Sequence, residues 1–495
     1  MVDLVLDVNQ RPALLAPVRE RNPPESKADM RLPLVIATTI LLFVTGSALP
    51  CAAQQAINPR VDEYVNSEMK REHIPGLSLA VIKDGQIILA KGYGLANVEL
   101  QVAAKPETIF QSGSMGKQFT ATAVMMLVEE GKLSLADSIT KYFTDAPASW
   151  QNITVRHLLT HTAGTTDYPS DFDFRRDYTE AELLKRAEAI PLAFQPGEKW
   201  SYSNLGYVML GILIHKVSGE FYGDFLQERV FKPLGMTTAR IISEADIVPN
   251  RAAGYRLVKG ELKNQNWVSP SLNSTADGAL YFTVYDLAKW DAALYTEKLL
   301  RRSSLEQMWT PVKLNNGKTE NYGFGWGFGE VRGHHIIEHG GAWQGFKSHI
   351  ARYVDDKLTV VVFANLAQAN PTRIAHAIAG IYNPELVPLP ARAIEDKEPE
   401  VTALAKEVLQ EGAEGKFDLA LFTADQQAEI SRSGTGRSEF LKSLGALKSI
   451  ELMARTEQNG NRLYSYRLTF QQGSFLLSMA LTKEGKIAGL RMQSE

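Results

Sequence analysis

At 495 residues the chain exceeds one ordinary core, so two or more domains are expected. Its 44% hydrophobic and 22% charged residues are those of a globular protein. A net charge of −3 gives no case for nucleic acid or an anionic membrane surface as a partner. The first segment reads as an export signal: Arg31 precedes the apolar run Leu32 to Val44, and Cys51-Ala52-Ala53 supplies the small residues of a cleavage site. Met30 is a second candidate start, because Met1 to Asp29 is polar and featureless. Residues 1–53 are therefore expected to be an N-terminal extension and signal peptide of an exported protein, periplasmic or secreted. If residues 32–49 are retained, their roughly 18 mostly apolar positions serve as a membrane anchor. Cys51 is the single cysteine, and Pro50 stands where a lipoprotein signal needs a small residue. Past that segment, disulfides, thiol catalysis and thiolate metal sites are excluded.

Leu77 to Lys83 and Gln86 to Lys91 flank Asp84-Gly85, a strong hairpin signal. From Ala136 to about Trp309 the pattern is mostly helical. Strands resume at His335 to His339, Ser348 to Tyr353 and Leu358 to Ala364, and Pro371 to Tyr382 reads as a closing helix. Strands at both ends with helices between imply one sheet completed by distant segments, flanked by helices and carrying a helical subdomain. That mixed α/β unit is assigned to residues 57–385. Residues 386–401 are proline-containing and charged, and read as a linker. In 402–495, helices at Thr402 to Glu411 and Arg437 to Leu444 precede strands at Ser449 to Arg455, Leu463 to Phe470, Ser474 to Leu481 and Ile487 to Met492. This is a small α+β domain with an antiparallel sheet and no residue cluster assignable to chemistry.

The pattern S-x-x-K puts a hydroxyl and an amine one helical turn apart, and a neutral amine can take a serine proton. It occurs at Ser67/Lys70, Ser138/Lys141 and Ser114/Lys117. Ser67 and Ser138 sit in polar stretches. Ser114 instead follows the extended Thr108 to Gln111 and the break at Ser112-Gly113, and precedes the almost wholly apolar Gln118 to Val128. A helix of that composition is buried, which directs Lys117 inward. Burial favours the neutral form of an amine, as a general base requires, and the helix N-terminus favours a developing oxyanion. A capping Ser with a snorkelling Lys is the competing reading.

Two later motifs supply partners. Tyr202-Ser203-Asn204 precedes the apolar helix Leu205 to Val217. On an extended segment Tyr202 and Asn204 face the same way. His339-Gly340-Gly341-Ala342 follows an extended run, and glycines at a strand end mark close approach of a ligand or another strand to the backbone.

Ser114/Lys117, Tyr202/Asn204 and His339/Gly341, in that order and spacing, resemble the three active-site elements of penicillin-recognising serine hydrolases. The nearest group is that of class C β-lactamases, serine DD-peptidases and related esterases. Val155 to Gly164 and Tyr322 to Gly327 fit as well, and the resemblance runs from about Asp62 to Tyr382. It implies a β-lactamase/transpeptidase-like fold for 57–385. Ser114 would be the acylated nucleophile, with Lys117 and Tyr202 sharing proton transfers and Asn204 orienting Lys117 and substrate. The oxyanion hole would be formed at Gly341-Ala342 by the N–H groups of Ser114 and Ala342. His339 replaces the lysine usual in such β-lactamases, and is expected to titrate near neutrality.

The resulting expectation is a metal-independent serine hydrolase without cofactor, acting on D-amino-acid peptides, β-lactams or small esters, in that order. Its partner is a small-molecule or peptide substrate of peptidoglycan-derived type. A binding or sensor protein that captures such a ligand without turnover is the alternative. His335-Ile336-Ile337-Glu338-His339 matches the zinc pattern H-x-x-E-H. That pattern needs a helix; on a strand the two histidines lie about 13 Å apart at about 3.3 Å per residue. His157 and His161 read as structural, holding the loop after Thr160. Lys318-Thr319-Glu320 is rejected as a third motif because Glu320 stands where glycine is needed.

Overall fold

Asp84 and Gly85 take φ of 50° and 74°, the left-handed pair of a two-residue hairpin turn. They join β1 (Gly76–Lys83) to β2 (Gln86–Asn97). The structure, a computed structural model, describes residues 51–494 apart from 170, 389–391, 434–435 and 459. Of the expected extension and signal peptide, residues 1–53, positions 1–50 lie outside the described residues. Cys51 opens the backbone of helix α1 (Cys51–Glu72). Among the described residues no helix is long and apolar enough to cross a membrane.

β1 is buried along almost its full length, as a strand covered on both faces must be. Its other neighbour comes from far along the chain. Gly327–Val331 (β3), His334–Trp343 (β4), Phe346–Tyr353 (β5) and Leu358–Ala364 (β6) form a meander. β6 then pairs with β1, Leu79 opposite Val362. The order is β3-β4-β5-β6-β1-β2, with the short strand Val102–Ala103 on the edge, and every pairing is antiparallel. β3 is absent from the sequence-based expectation, because Gly327-Phe328-Gly329-Glu330-Val331 offers two glycines and little β-branching.

In the inserted helical region α4 (Val284–Ala293) packs on β1, β2 and β6, and α2 (Lys117–Glu129) and α3 (Asn204–Ser218), packed on each other, extend the same core. α5 (Pro371–Tyr382) packs with α1 on the other face, where Val61 and Val65 join Leu79, Val362 and Ile374. α2 is held by Phe119, whose ring lies 4.4 Å from that of Trp290 and 4.8 Å from that of Phe282. Burying one such side chain contributes about 1.5–3 kcal/mol, so the first turn of α2 is fixed by its own core packing.

Beyond residue 398, α6 (Pro399–Glu414), α7 (Ala424–Ser433) and α8 (Gly436–Ser443) precede a meander of β7 (Leu447–Gln458), β8 (Asn461–Phe470), β9 (Gly473–Leu481) and β10 (Ile487–Ser494). Alternate residues Tyr464, Tyr466, Leu468 and Phe470 enter a core of their own with Val408 and Met479. α6 starts inside the expected linker, with Pro399 in its first turn where a missing N–H costs nothing. α7 has no counterpart in the expected elements, because Ala424-Asp425-Gln426-Gln427 shows no apolar stripe.

Candidate active site

Ser114 lies in a single turn of 3₁₀-helix, Gly113–Gly116, that runs directly into α2. The turn is clamped between two backbones. Gly113 has φ +54°, and a Cβ there would come within 2.4 Å of Ala342 N on β4. A Cβ on Gly341 would stand 1.8 Å from Ser112 O, and one on Gly278 would stand 2.2 Å from Gly113 O. The glycine signal at the end of β4 thus has a specific cause: the chain just before Ser114 passes over Gly341. Ser348 Oγ donates to Ser112 O at 2.5 Å, and Ser112 Oγ donates to Gly278 O at 3.0 Å. These contacts fix where the nucleophile turn sits.

Lys117 is fully buried. Its Nζ lies 3.1 Å from Ser114 Oγ, 2.7 Å from Asn204 Oδ1 and 2.5 Å from Asp277 O. The amide orientation of Asn204 follows from its other neighbour. Asn204 Nδ2 donates to Asp167 Oδ2 at 2.8 Å, and a carboxylate only accepts, so Oδ1 must face the lysine. Two oxygens that can only accept therefore hold two N–H groups of Lys117. The remaining position on nitrogen points at Ser114 Oγ.

Tyr202 stands over the same amine, with Lys117 Nζ 4.9 Å from its ring centroid. Tyr202 Oη is buried and has no hydrogen-bond partner among the described residues, which leaves its donor and acceptor capacity for the reacting groups. The ring packs on His161, with centroids 4.2 Å apart. His161 has φ +58° just past the helix Val155–Leu159. Ser203 N donates to His161 Nδ1 at 3.2 Å, so the ring proton is on Nε2, facing Tyr322 Oη at 3.3 Å. Tyr322 then donates to His339 Nε2 at 2.9 Å, and His339 Nδ1 donates to Gly340 O at 2.6 Å. One continuous chain of hydrogen bonds thus supports Tyr202 from below.

Both histidines in that chain are neutral near pH 7. Burial, then the nearby Lys117 charge, pushes His161 well down, and the same two causes bring His339 down to about 3. The expected titration of His339 near neutrality is therefore corrected. It is 8% exposed, is held by Tyr322 and Gly340, and presents no switchable charge to substrate.

A cavity of 420 Å³ opens over Ser114. Asn204, Asp167, Tyr168, Phe174, Asp277 and Trp343 are among its lining residues, with Gly113 and Ala342 beside the nucleophile. Among the described lining residues none is Lys, Arg or His. The Asp277 carboxyl accepts from Thr275 Oγ1 at 2.6 Å, and burial raises its pKa. The structure brings Ser114, Lys117 and Asn204 into direct contact, sets Tyr202 beside them, and places Gly341 and Ala342 against the nucleophile turn. Asp167, Asp277, His161 and Tyr322 escaped sequence reasoning as parts of this site. Lys117 uses a backbone carbonyl of Asp277, which no side-chain motif can announce. The Tyr322-Gly323 segment and His161 were visible only as pieces of the family pattern.

The competing S-x-x-K pairs lie elsewhere. Ser67 and Lys70 are exposed on α1, with Ser67 Oγ bonded to Tyr64 O. Ser138 caps a 3₁₀ turn and Lys141 pairs with Asp137 at 3.1 Å. Lys318 and Glu320 form an exposed ion pair.

With this geometry in view, comparison with known proteins is direct. A family model described as Beta-lactamase matches residues 61–381. Penicillin-binding protein 4* of Bacillus subtilis (strain 168) is 31% identical over 299 residues, which is 57% of this chain and 66% of that protein. The chain thus spans just under two thirds of that relative. The octameric penicillin-binding protein homologue from Pyrococcus abyssi superposes with a TM-score of 0.60 at 25% identity, covering 88% of this chain and 96% of that one. D-amino acid amidase from Ochrobactrum anthropi SV3, solved with L-phenylalanine amide, gives a TM-score of 0.57 at 24% identity over 67% of this chain and 97% of its own; the likeness is one of fold.

Proposed function

Because the chain belongs to the beta-lactamase family, we propose that it is a serine hydrolase that opens amide or ester bonds through an acyl-enzyme on Ser114. The observation that carries this is the three-oxygen grip on the buried Lys117 Nζ, beside a Ser114 that opens on the cavity. Ser114 Oγ attacks the substrate carbonyl carbon while its proton passes to Lys117 Nζ, directly or through Tyr202 Oη. The oxyanion is met by the N–H groups of Ser114 and Ala342 at the head of α2. Collapse expels the amine or alcohol, which takes the proton back, and water then releases the acyl group by the same path in reverse.

The cavity lining favours substrates without a free carboxylate at the acyl site. With no Lys, Arg or His among its described lining residues and with His339 buried and neutral, a carboxylate finds no fixed cation there. The preferred class is therefore D-amino-acid amides, or peptides cut at a bond not followed by a free carboxylate, then small esters, with β-lactams last. Under the export reading of residues 1–53, cell-wall peptides are the source. Steady-state hydrolysis of D-amino-acid p-nitroanilides and p-nitrophenyl esters, beside analogues bearing a free carboxylate, tests this order. Faster turnover of the carboxylate-free series supports it. A carboxylate-bearing series that is preferred would overturn the substrate class, and acylation without release would make the protein a sensor.

A further inference from the structure

Residues 338 and 339 of β4 point to opposite faces of the sheet, as alternation requires. His339 faces Tyr322 and the lysine; Glu338 faces α5. There it meets two histidines. His349 Nε2 on β5 and His376 Nε2 on α5 each lie 3.0 Å from Glu338 Oε2. The three ligand atoms all fall within 4.8 Å of one another.

The outer nitrogens of both rings are held as well. His376 Nδ1 is 2.6 Å from Tyr353 Oη, and His349 Nδ1 is 3.0 Å from Thr372 Oγ1. A hydroxyl oxygen can accept from Nδ1–H and so hold each ring, the part that carboxylates, backbone carbonyls or water usually play for metal-binding histidines. Both rings converge on a single carboxylate oxygen, Glu338 Oε2. His349 is nearly fully buried, while the His376 side chain is 31% exposed, so solvent reaches the cluster from the α5 side.

We propose that Glu338, His349 and His376 form a binding site for a divalent transition metal of the zinc class, tying β4 and β5 to α5 behind the nucleophile clamp. Two imidazoles and one carboxylate are the donor set such a cation takes, leaving a fourth position to water. Tetrahedral bonds of about 2.0–2.1 Å set ligand–ligand edges of about 3.3 Å. The two edges at 3.0 Å are close to that, and the third closes by movement of His376, the most exposed member. On binding, each neutral ring moves the proton that faces Glu338 from Nε2 to Nδ1, gives its Nε2 lone pair to the metal, and donates Nδ1–H to Tyr353 Oη or Thr372 Oγ1. The H-x-x-E-H pattern thus contributes its glutamate alone. His335 is exposed and pairs with Asp355, and His339 faces the other way.

This inference does not depend on the hydrolase reading, and its test uses no substrate. Metal-stripped full-length protein is titrated with Co²⁺, and the visible band of four-coordinate cobalt is followed, then displaced by Zn²⁺. A saturable one-to-one band is expected. His376→Ala, a partly exposed position that leaves the fold intact, weakens binding about a hundredfold, and Tyr353→Phe about tenfold. His335→Ala leaves the titration unchanged. Absence of the band in the wild-type protein, or a band that survives both His376→Ala and Glu338→Gln, overturns the site.

Discussion

Ser114-Met115-Gly116-Lys117 and Ser138-Ile139-Thr140-Lys141 share a pattern and nothing else. At the second, serine closes a turn on Thr140 N and lysine reaches through solvent to Asp137, with its side chain 60% exposed. At the first, lysine is fully buried and grips oxygens from three separate segments. Exposure lets water compete for every bond of Lys141, so that pair contributes little. Burial with contacts to Ser114, Asn204 and Asp277 O gives Lys117 one geometry. Chemistry at an S-x-x-K pair therefore depends on what surrounds it.

The contrast can be broken most severely at the serines. Ser114→Ala is expected to lower kcat/KM on the order of 10⁶-fold, the scale of losing a nucleophile. Ser138→Ala should leave turnover untouched and cost about 1 kcal/mol in denaturant unfolding, the scale of a lost cap. A hydrolytic rate retained in Ser114→Ala would remove the distinction. The lysines come next. Lys117→Met should reduce acylation by about 10²–10⁴-fold, while Lys141→Met should not change it; stopped-flow acylation rates separate the two.

The clamp gives a third, smaller contrast. Gly341→Ala forces a methyl into Ser112 O and displaces the nucleophile turn, so kcat should fall about a hundredfold, the scale of a misplacement of about 1 Å. At Gly340 the nearest atom to a new Cβ is 3.3 Å away, and Gly340→Ala should stay close to wild type. Equal behaviour of the two variants would contradict the clamp.

The smallest effect is in pH. His161 is buried and neutral in the folded chain, with its pKa well below the ordinary 6.5, whereas the unfolded chain titrates there. The unfolded state then binds more protons as pH falls, so this contribution to stability is complete above about 6.5 and is lost on acidification. Melting temperatures measured from pH 7.5 down to 4.5 should drop, and His161→Asn should flatten the curve. A wild-type curve unchanged by that substitution would show that His161 is charged or exposed.

How much was legible from sequence follows the same division between local pattern and assembled geometry. The Asp84-Gly85 hairpin, the helix Pro371–Tyr382 and the four strands after Leu447 are marked by turn residues and periodicity, and they appear where expected. The apolar run after Lys117 announced a buried helix. Gly327–Val331 and Ala424–Ser433 were not legible, because their partners rather than their composition make them strand and helix. In the site, Ser114, Lys117, Tyr202 and Asn204 belong to short ordered motifs. Asp167, Asp277, His161 and Tyr322 come from loops whose convergence is set by tertiary packing. His339 shows the limit most sharply: its residue type suggested a switch at neutral pH, and its burial removes that switch.

The most direct measurement is the intact mass of the protein after reaction with a fluorophosphonate, followed by peptide mapping. One adduct is expected, on the peptide carrying Ser114, absent from Ser114→Ala and strongly slowed in Lys117→Met. No adduct on the wild-type protein, or one that persists in Ser114→Ala, would contradict the assignment of Ser114 as nucleophile.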